Sequence, residues 1–393
     1  MNLIALFIFF IPFGQQAPSF DTFLQRLKLL PIAQRPAAVA ELLATSRITP
    51  LVENDSLVHF VWFGKAKTVV LNGDLQRGWS HPDTMESIPC GDSLSFFHHS
   101  YVVPLDTRVD YQFVVDGTWG TDPRNPRITP SGYGPHSELA MPGFGSNPIL
   151  KYKPDIPHGT VDSMWFKSGI DSLRPRAIKI YTPSGFQGQP NLPSLYVHDG
   201  FAAMECEYFQ NVLDNLIADR KIKPLIVVFI PPVLREDEYI GRRQRAFTKM
   251  LCDELVPLID RTYPTSRRPE DRGMMGISNG GHVSLATVLK RPDVFLNGAG
   301  QSSTITPQLF EIFDNAVEHR SSHKPFKLYL DVGRYDLDYP GTDGSFLSVN
   351  REFSQELTKA GIVHTFCEVD DGHEWASWRE RTEEILILFF GMK

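Results

Sequence analysis

RGMMGISNGGHVSLATVL, residues 272–289, joins an apolar run of strand length to a run with helical periodicity, and the junction GISNG matches G-x-S-x-G. In such a strand-to-helix turn the serine projects at the edge of a sheet, beside helix N–H groups that favour negative charge. Gly276 and Gly280 leave the space that the turn needs. A bare pentapeptide match recurs by chance, but the strand before it and the helix after it make Ser278 a candidate nucleophile rather than one more loop serine.

Outward from this turn, strand-like and helix-like runs alternate from residue 160 onward. AIKIYTP (177–183), PSLYVHDG (193–200), LIVVFIPP (225–232), KLYLDVG (327–333) and HTFCEVDDGH (364–373) read as strands, with long amphipathic runs such as 207–221 and 242–263 between them. This alternation predicts an α/β domain with a mostly parallel sheet and helices on both faces, with ligands at the carboxyl ends of the strands.

A serine hydroxyl needs a base, and the base needs a third group to orient it. In this fold class the chain order is Ser, then an acid, then His. Asp336 stands in a loop after the strand KLYLDVG, and His373 in a glycine-containing turn before the last helix. Asp338 is a second candidate for the acid, whereas Asp331, inside the strand, reads as structural. His282 would ride on the helix away from Ser278 and reads as a packed histidine. Oxyanion donors are expected from the backbone N–H of Asn279 and from the turn at Gly200 and Phe201; His198 and Asp199 read as shaping that turn.

The segments LYVHDG, RGMMGISNGGHVSL, DVGRYDLD and DDGHEWASWR, in this order, resemble the esterase D group of α/β-hydrolases, most closely enterochelin esterase-like proteins, over residues 165–393. The resemblance implies that Ser278, Asp336 and His373 are catalytic. Relatives hydrolyse siderophore trilactones, feruloyl or acetyl esters on plant polysaccharide, and other carboxylic esters. Residues 50 to 145 are similar to the β-sandwich that precedes the hydrolase domain in siderophore esterases and to glycogen-binding-type modules, through VVLNGDLQRGW (69–79) and VDYQFVVDG (109–117).

The period-two runs LVHFVWF, TVVLNG, FFHHSYVVP and VDYQFVVDG independently predict an antiparallel β-sandwich of immunoglobulin-like type at 51–145. A proline- and glycine-rich tract over 120–159 leads into the hydrolase half, with the linker drawn at 146–164 and the α/β-hydrolase domain at 165–393. Residues 18–50 predict a short helical segment broken by Pro31 and Pro36. The apolar run within residues 1–17 is too short to cross a bilayer as a helix and reads as an export signal, which places the protein in the periplasm or outside the cell.

The 393 residues carry a net charge of -7, with 42% hydrophobic and 22% charged residues, and no block of Lys or Arg that would track phosphates. Nucleic acid is therefore not an expected partner, and neither is stable membrane insertion. The four cysteines are widely spaced without zinc-site spacing, and DLDYPGTDG fails the EF-hand pattern, so no metal and no cofactor is expected. The partner expected is a small-molecule or glycan-linked ester. Arg242, with Arg235 and Arg243 beside it, is a candidate for an anionic substrate group or marks a solvated helix start, and Trp375 and Trp378 are candidates for the pocket wall, or at i and i+3 one of them anchors the helix. Trp62, Trp79 and Trp119 are candidates for sugar stacking or for an interface. The rival from another class is a non-catalytic glycan-binding protein.

Overall fold

A computed structural model of the chain describes residues 19–46, 48–319, 325–338 and 344–392. The apolar run within residues 1–17 lies outside the described residues. Helices α1 (Phe20–Leu29) and α2 (Arg35–Ser46) form the expected pair, α1 opening on Ser19, whose hydroxyl accepts from the Thr22 amide. Ten strands follow: β1 (Leu51–Glu53), β2 (Leu57–Lys65), β3 (Val69–Gly73), β4 (Asp83–Thr84), β5 (Glu86–Gly91), β6 (Leu94–Val102), β7 (Arg108–Val115), β8 (Thr118–Gly120), β9 (Ile128–Thr129) and β10 (His136–Ala140). They form two antiparallel sheets, β1-β2-β6-β5 and β4-β3-β7-β10-β9, with β8 on β7.

Strand alternation explains why the run FFHH is apolar on both faces. Phe97 points into the core between the sheets with Val58, Phe60 and Tyr111, whereas Phe96 faces outward with Val61 and is covered by Phe20, Leu27, Val39 and Leu43 of the helical pair. The helices thus close a sheet face that would otherwise expose a row of apolar side chains.

The hydrolase half contains β11 (Thr160–Phe166), β12 (Arg176–Thr182), β13 (Ser194–His198), β14 (Ile226–Ile230), β15 (Arg272–Ile277), β16 (Asn297–Gln301), β17 (Lys327–Gly333) and β18 (His364–Val369). Their order is β11-β12-β14-β13-β15-β16-β17-β18. The pairs β11–β12 and β12–β14 are antiparallel and the others parallel. Thr160–Phe166 pairs along its whole length with β12, so the edge strand of this sheet occupies part of the stretch drawn as linker.

The helices are α3 (Gly200–Cys206), α4 (Phe209–Ala218), α5 (Arg235–Tyr239), α6 (Gln244–Met250), α7 (Val256–Thr262), α8 (Asn279–Lys290), α9 (Pro307–Glu318), α10 (Phe346–Lys359), α11 (Trp375–Trp378) and α12 (Thr382–Phe390). Helices α6 to α10 cover one face; α3, α4, α11 and α12 cover the other. Adjacent residues of β15 show the division, since Met274 packs in the first core and Met275 in the second. Every residue of β15 is buried, which is why its sequence is a continuous apolar run rather than an alternation.

Candidate active site

Ser278 stands between β15 and α8 with φ 55° and ψ −122°, a conformation that an L-residue adopts only under constraint. The constraint comes from both sides of the turn. Its amide donates to Gln301 O at 2.9 Å, and its carbonyl accepts from the amides of His282 and Thr304, both at 3.1 Å. The glycines are required by contact: a β-carbon on Gly276 would lie 2.5 Å from the Gly280 carbonyl carbon, and one on Gly281 would lie 2.3 Å from Ser303 Oγ.

At the carboxyl ends of β17 and β18, His373 Nδ1 is 2.6 Å from Asp336 Oδ1. The Asp336 carboxylate also accepts from the Leu337 amide at 2.7 Å and more weakly from the Gly333 amide at 3.4 Å. Burial alone would raise the Asp336 carboxyl, but the His373 imidazole and these hydrogen bonds hold it below the ordinary value, so it is charged at neutral pH. An ionised partner at Nδ1 assigns the ring proton to that nitrogen and leaves Nε2 as the basic one. The imidazole is held edge-on by Phe346 and Trp378, each with a ring centroid 5.0 Å away.

Ser278, Asn279 and His373 line one cavity of about 700 Å³ with Arg235, Glu236, Thr304, Leu337, Phe346 and Glu374. The sandwich supplies the opposite wall: Gly78, Trp79, Gln112, Trp119, Tyr133 and His136. Its approach is close. A β-carbon on Gly78 would sit 2.7 Å from Leu337 Cα, and one on Gly372 would sit 1.9 Å from Asp74 Cγ. Tyr335 packs against the sandwich core, the Arg108 amide donates to Asp370 O at 3.0 Å, and Arg108 Nη1 donates to Asp371 Oδ1 at 3.3 Å. The two loops that present Asp336 and His373 are therefore clamped by the N-terminal half.

The remaining expected residues divide. Asn279 lines the cavity, with its side chain tied to Glu236 Oε2 at 2.7 Å and to Thr304 Oγ1 at 2.6 Å; as the first residue of α8 its backbone N–H has no intrahelical acceptor. Gly200 is buried against β14, where a β-carbon would meet Ile230 N at 2.4 Å, and the Phe201 ring lies under Lys179 Nζ at 4.5 Å. Neither residue is among those lining the cavity.

Arg242 is a correction: its side chain is 94% exposed and lies outside the cavity, because α5 ends before it and the chain turns outward. The arginine that does line the cavity is Arg235, held by two hydrogen bonds of 2.8 Å to Asp199. Trp375 and Trp378 are also corrected, since both are buried in the second core behind the histidine and neither lines the cavity. Trp378 donates to Ser302 Oγ at 3.0 Å and supports His373 from below.

Asp338 lies 3.7 Å from Arg77 across the domain boundary and leaves His373 to Asp336. His282 is fully buried with Nδ1 against Thr304 O at 2.8 Å, and burial pushes it down to about 4; His198, buried beneath Tyr239, is pushed down to about 3. Both are neutral packed imidazoles. Of the three sandwich tryptophans, Trp79 and Trp119 face the cavity, whereas Trp62 packs on Phe97. All four cysteines are free thiols. Sequence reasoning had no signal for His136, Tyr133, Gln112 or Glu236. Glu374, beside His373 in the chain, could have been found by its adjacency.

The doubly covered α/β sheet, the serine turn at the carboxyl end of β15 and the histidine–carboxylate pair define an enzyme of the α/β-hydrolase fold preceded by a β-sandwich. The chain belongs to the family described as "Putative esterase", whose profile matches residues 173–389, and it is a carboxylic ester hydrolase. It is 31% identical over 254 residues to the endo-1,4-beta-xylanase/feruloyl esterase of Xylanibacter ruminicola, a match that covers 61% of this chain but only 32% of that protein.

Among solved structures, the ferric enterobactin esterase of Salmonella typhimurium superposes with a TM-score of 0.70 at 16% identity, covering 89% of this chain and 98% of that one. The enterobactin esterase of Shigella flexneri, solved in the presence of 2,3-dihydroxy-N-benzoyl-serine, gives 0.68 at 19% identity, with 88% and 97% covered. These likenesses are of fold, and they extend over both halves of the chain. No helix among the described residues is long and apolar enough to cross a membrane.

Proposed function

We propose that the protein hydrolyses carboxylic esters through an acyl-enzyme formed on Ser278, with His373 as base and Asp336 as its orienting acid. The observation that carries this reading is the 2.6 Å bond between His373 Nδ1 and Asp336 Oδ1 in the cavity that Ser278 enters from its strained turn. Ser278 Oγ attacks the ester carbonyl carbon while His373 Nε2 takes its proton. The carbonyl oxygen, now an oxyanion, is met by the Asn279 N–H. The tetrahedral intermediate collapses by breaking the C–O bond, and the alcohol leaves with the proton from His373. Water, deprotonated by the same nitrogen, then attacks the acyl carbon and releases the acid.

The cavity walls favour an ester with an aromatic ring near the reacting carbonyl. Trp79, Trp119, Tyr133 and Phe346 offer flat apolar faces, and the Arg235 guanidinium can meet a phenolate or carboxylate oxygen. An enterochelin-like ester and a feruloyl-type ester both fit this description. Trp119 and Tyr133 are 55% and 94% exposed, which supports the second reading: a substrate tethered to a larger glycan that continues out of the cavity. Ser278→Ala is expected to lower kcat on an aryl-acyl ester by roughly 10⁴- to 10⁶-fold, and equal rates in variant and wild type would end the proposal. A panel of aryl-acyl, acetyl and trilactone esters compared by kcat/KM ranks the substrates. Export, proposed from the apolar run within residues 1–17, is checked by cell fractionation of the full chain.

A further inference from the structure

Beside the cavity, on the sandwich side of His373, lies a cluster that the ester chemistry does not use. His136 at the start of β10, Asp110 on β7 and Glu374 bring an imidazole nitrogen and two carboxylates within 4.8 Å of one another. His136 Nδ1 is 3.4 Å from Asp110 Oδ2 and 3.6 Å from Glu374 Oε1, and the three side chains are 4%, 0% and 9% exposed. Nδ1 of His136 is buried without a hydrogen-bond partner, although it points between two carboxylates. The other ring nitrogen sits 3.4 Å from Ser131 Oγ.

The charge balance sharpens the point. Asp74, Asp110, Asp371 and Glu374 are buried together; the buried Arg108 guanidinium contacts Asp110 and Asp371, and the buried Arg381 guanidinium lies near Asp371. Carboxylates outnumber the guanidinium groups around them here, and buried carboxylates in excess need a cation or protons. Arg108 occupies Asp110 Oδ1, and Thr129 Oγ1 donates to Oδ2 at 3.0 Å, so the carboxylate is oriented with Oδ2 turned toward His136.

We propose that Asp110, His136 and Glu374 form a binding site for a divalent transition cation of the Zn²⁺ or Mn²⁺ class. One imidazole nitrogen with two carboxylate oxygens is a donor set that such ions accept. Bonds of about 2.1 Å in a tetrahedral shell separate neighbouring donors by about 3.4 Å, in line with the two separations from Nδ1. His136 and Glu374 also line the active-site cavity, so a further coordination position faces the space where a water or a polar group of the ester can complete the shell. Two ligands belong to the sandwich and the third adjoins His373. The ion therefore ties the N-terminal half to the loop that presents the base, and it takes no part in the bond-making steps.

The full chain, dialysed against chelator, is titrated with ZnCl₂, MnCl₂ and MgCl₂ by calorimetry and by thermal unfolding. One equivalent of Zn²⁺ or Mn²⁺ is expected to bind, with a Tm that rises with metal concentration, and Mg²⁺ is expected to bind far more weakly. His136→Ala and Glu374→Gln should each weaken binding by about a hundredfold or more, whereas exposed His319→Ala should leave it unchanged. Co²⁺ bound to the folded wild type should give the intense visible bands of a four-coordinate site, a readout that survives if a variant does not fold. No binding at millimolar metal, or undiminished binding in both ligand variants, overturns the proposal. In that case protons carry the excess charge.

Discussion

Asp74 and Gly372 meet face to face across the two halves of the chain, so closely that a β-carbon on Gly372 would fall 1.9 Å from the Asp74 carboxyl carbon. Asp74 is itself held, accepting from Trp79 Nε1 at 2.9 Å and from the Asp110 amide at 2.7 Å. The sandwich thus sets the height of the turn on which His373 sits. Gly372→Ala must move that turn. A displacement of about 1 Å at a reacting group costs about a hundredfold, so kcat/KM is expected to fall by roughly that factor while the circular dichroism of the fold is kept. An unchanged kcat/KM would show that the clamp does not position the histidine.

The acid assignment separates two neighbours. Asp336→Asn keeps the shape but loses the charge that holds the Nδ1 proton, and kcat is expected to fall by about 10⁴-fold. Among the described residues the Asp338 side chain pairs with exposed Arg77, and Asp338→Asn should stay within about twofold of wild type. Steady-state kinetics of the two variants on one aryl-acyl ester decides between them.

At the serine turn the glycines can be tested without touching chemistry. Gly276→Ala places a β-carbon against the Gly280 backbone, which cannot yield as a side chain could, and should destabilise the fold by about 1–3 kcal/mol. Gly120→Ala meets nothing within 4 Å and should stay within about 0.5 kcal/mol. Urea unfolding midpoints compare the two.

Arg235 and Arg242 predict opposite kinetics. Arg235→Ala removes the only guanidinium that lines the cavity among the described residues, and KM for a hydroxylated or anionic aryl ester should rise by about tenfold with kcat much less affected. Arg242→Ala should be silent, because the side chain stands in solvent.

Glu207 gives stability a pH dependence of its own. It is buried, and burial pushes its carboxyl up to about 8, with the Thr382 hydroxyl donating to it at 3.0 Å. The unfolded chain loses this proton near the ordinary value of 4.5, so between there and about pH 8 the folded state binds more protons and stability falls as pH rises. Glu207→Gln removes that slope. Its Tm should match wild type near pH 4.5 and exceed it at pH 8.5, and equal Tm values at the higher pH would refute the assignment.

Much of this architecture could be read from the chain because the signals are local. The strand-to-helix turn needs glycine at fixed offsets around Ser278, and the alternation in 57–117 marks half-buried strands whatever they pack against. The strand Asn297–Gln301 had no such signal: NGAGQ lacks β-branched and large apolar residues. It is a strand because β15 and β17 flank it, and it is glycine-rich because α8 lies on it, with Gly298 against Val288 and Gly300 near Gly281. The edge strand Thr160–Phe166 was hidden in the same way, inside a region whose prolines suggested a linker.

By itself the sequence determined the class of fold, the order Ser278, Asp336, His373, and the presence of a sandwich ahead of them, since each depends on residues near one another in the chain. Only the tertiary structure decided what surrounds the serine. Arg108 and Asp371, 263 residues apart, meet at the interface. Trp79 and His136 become cavity walls. Arg235 rather than Arg242 lines the cavity, and Trp378 sits beneath the histidine instead of beside it. Contacts at such separations follow from how two folded halves dock, a property of surfaces that no window of sequence contains.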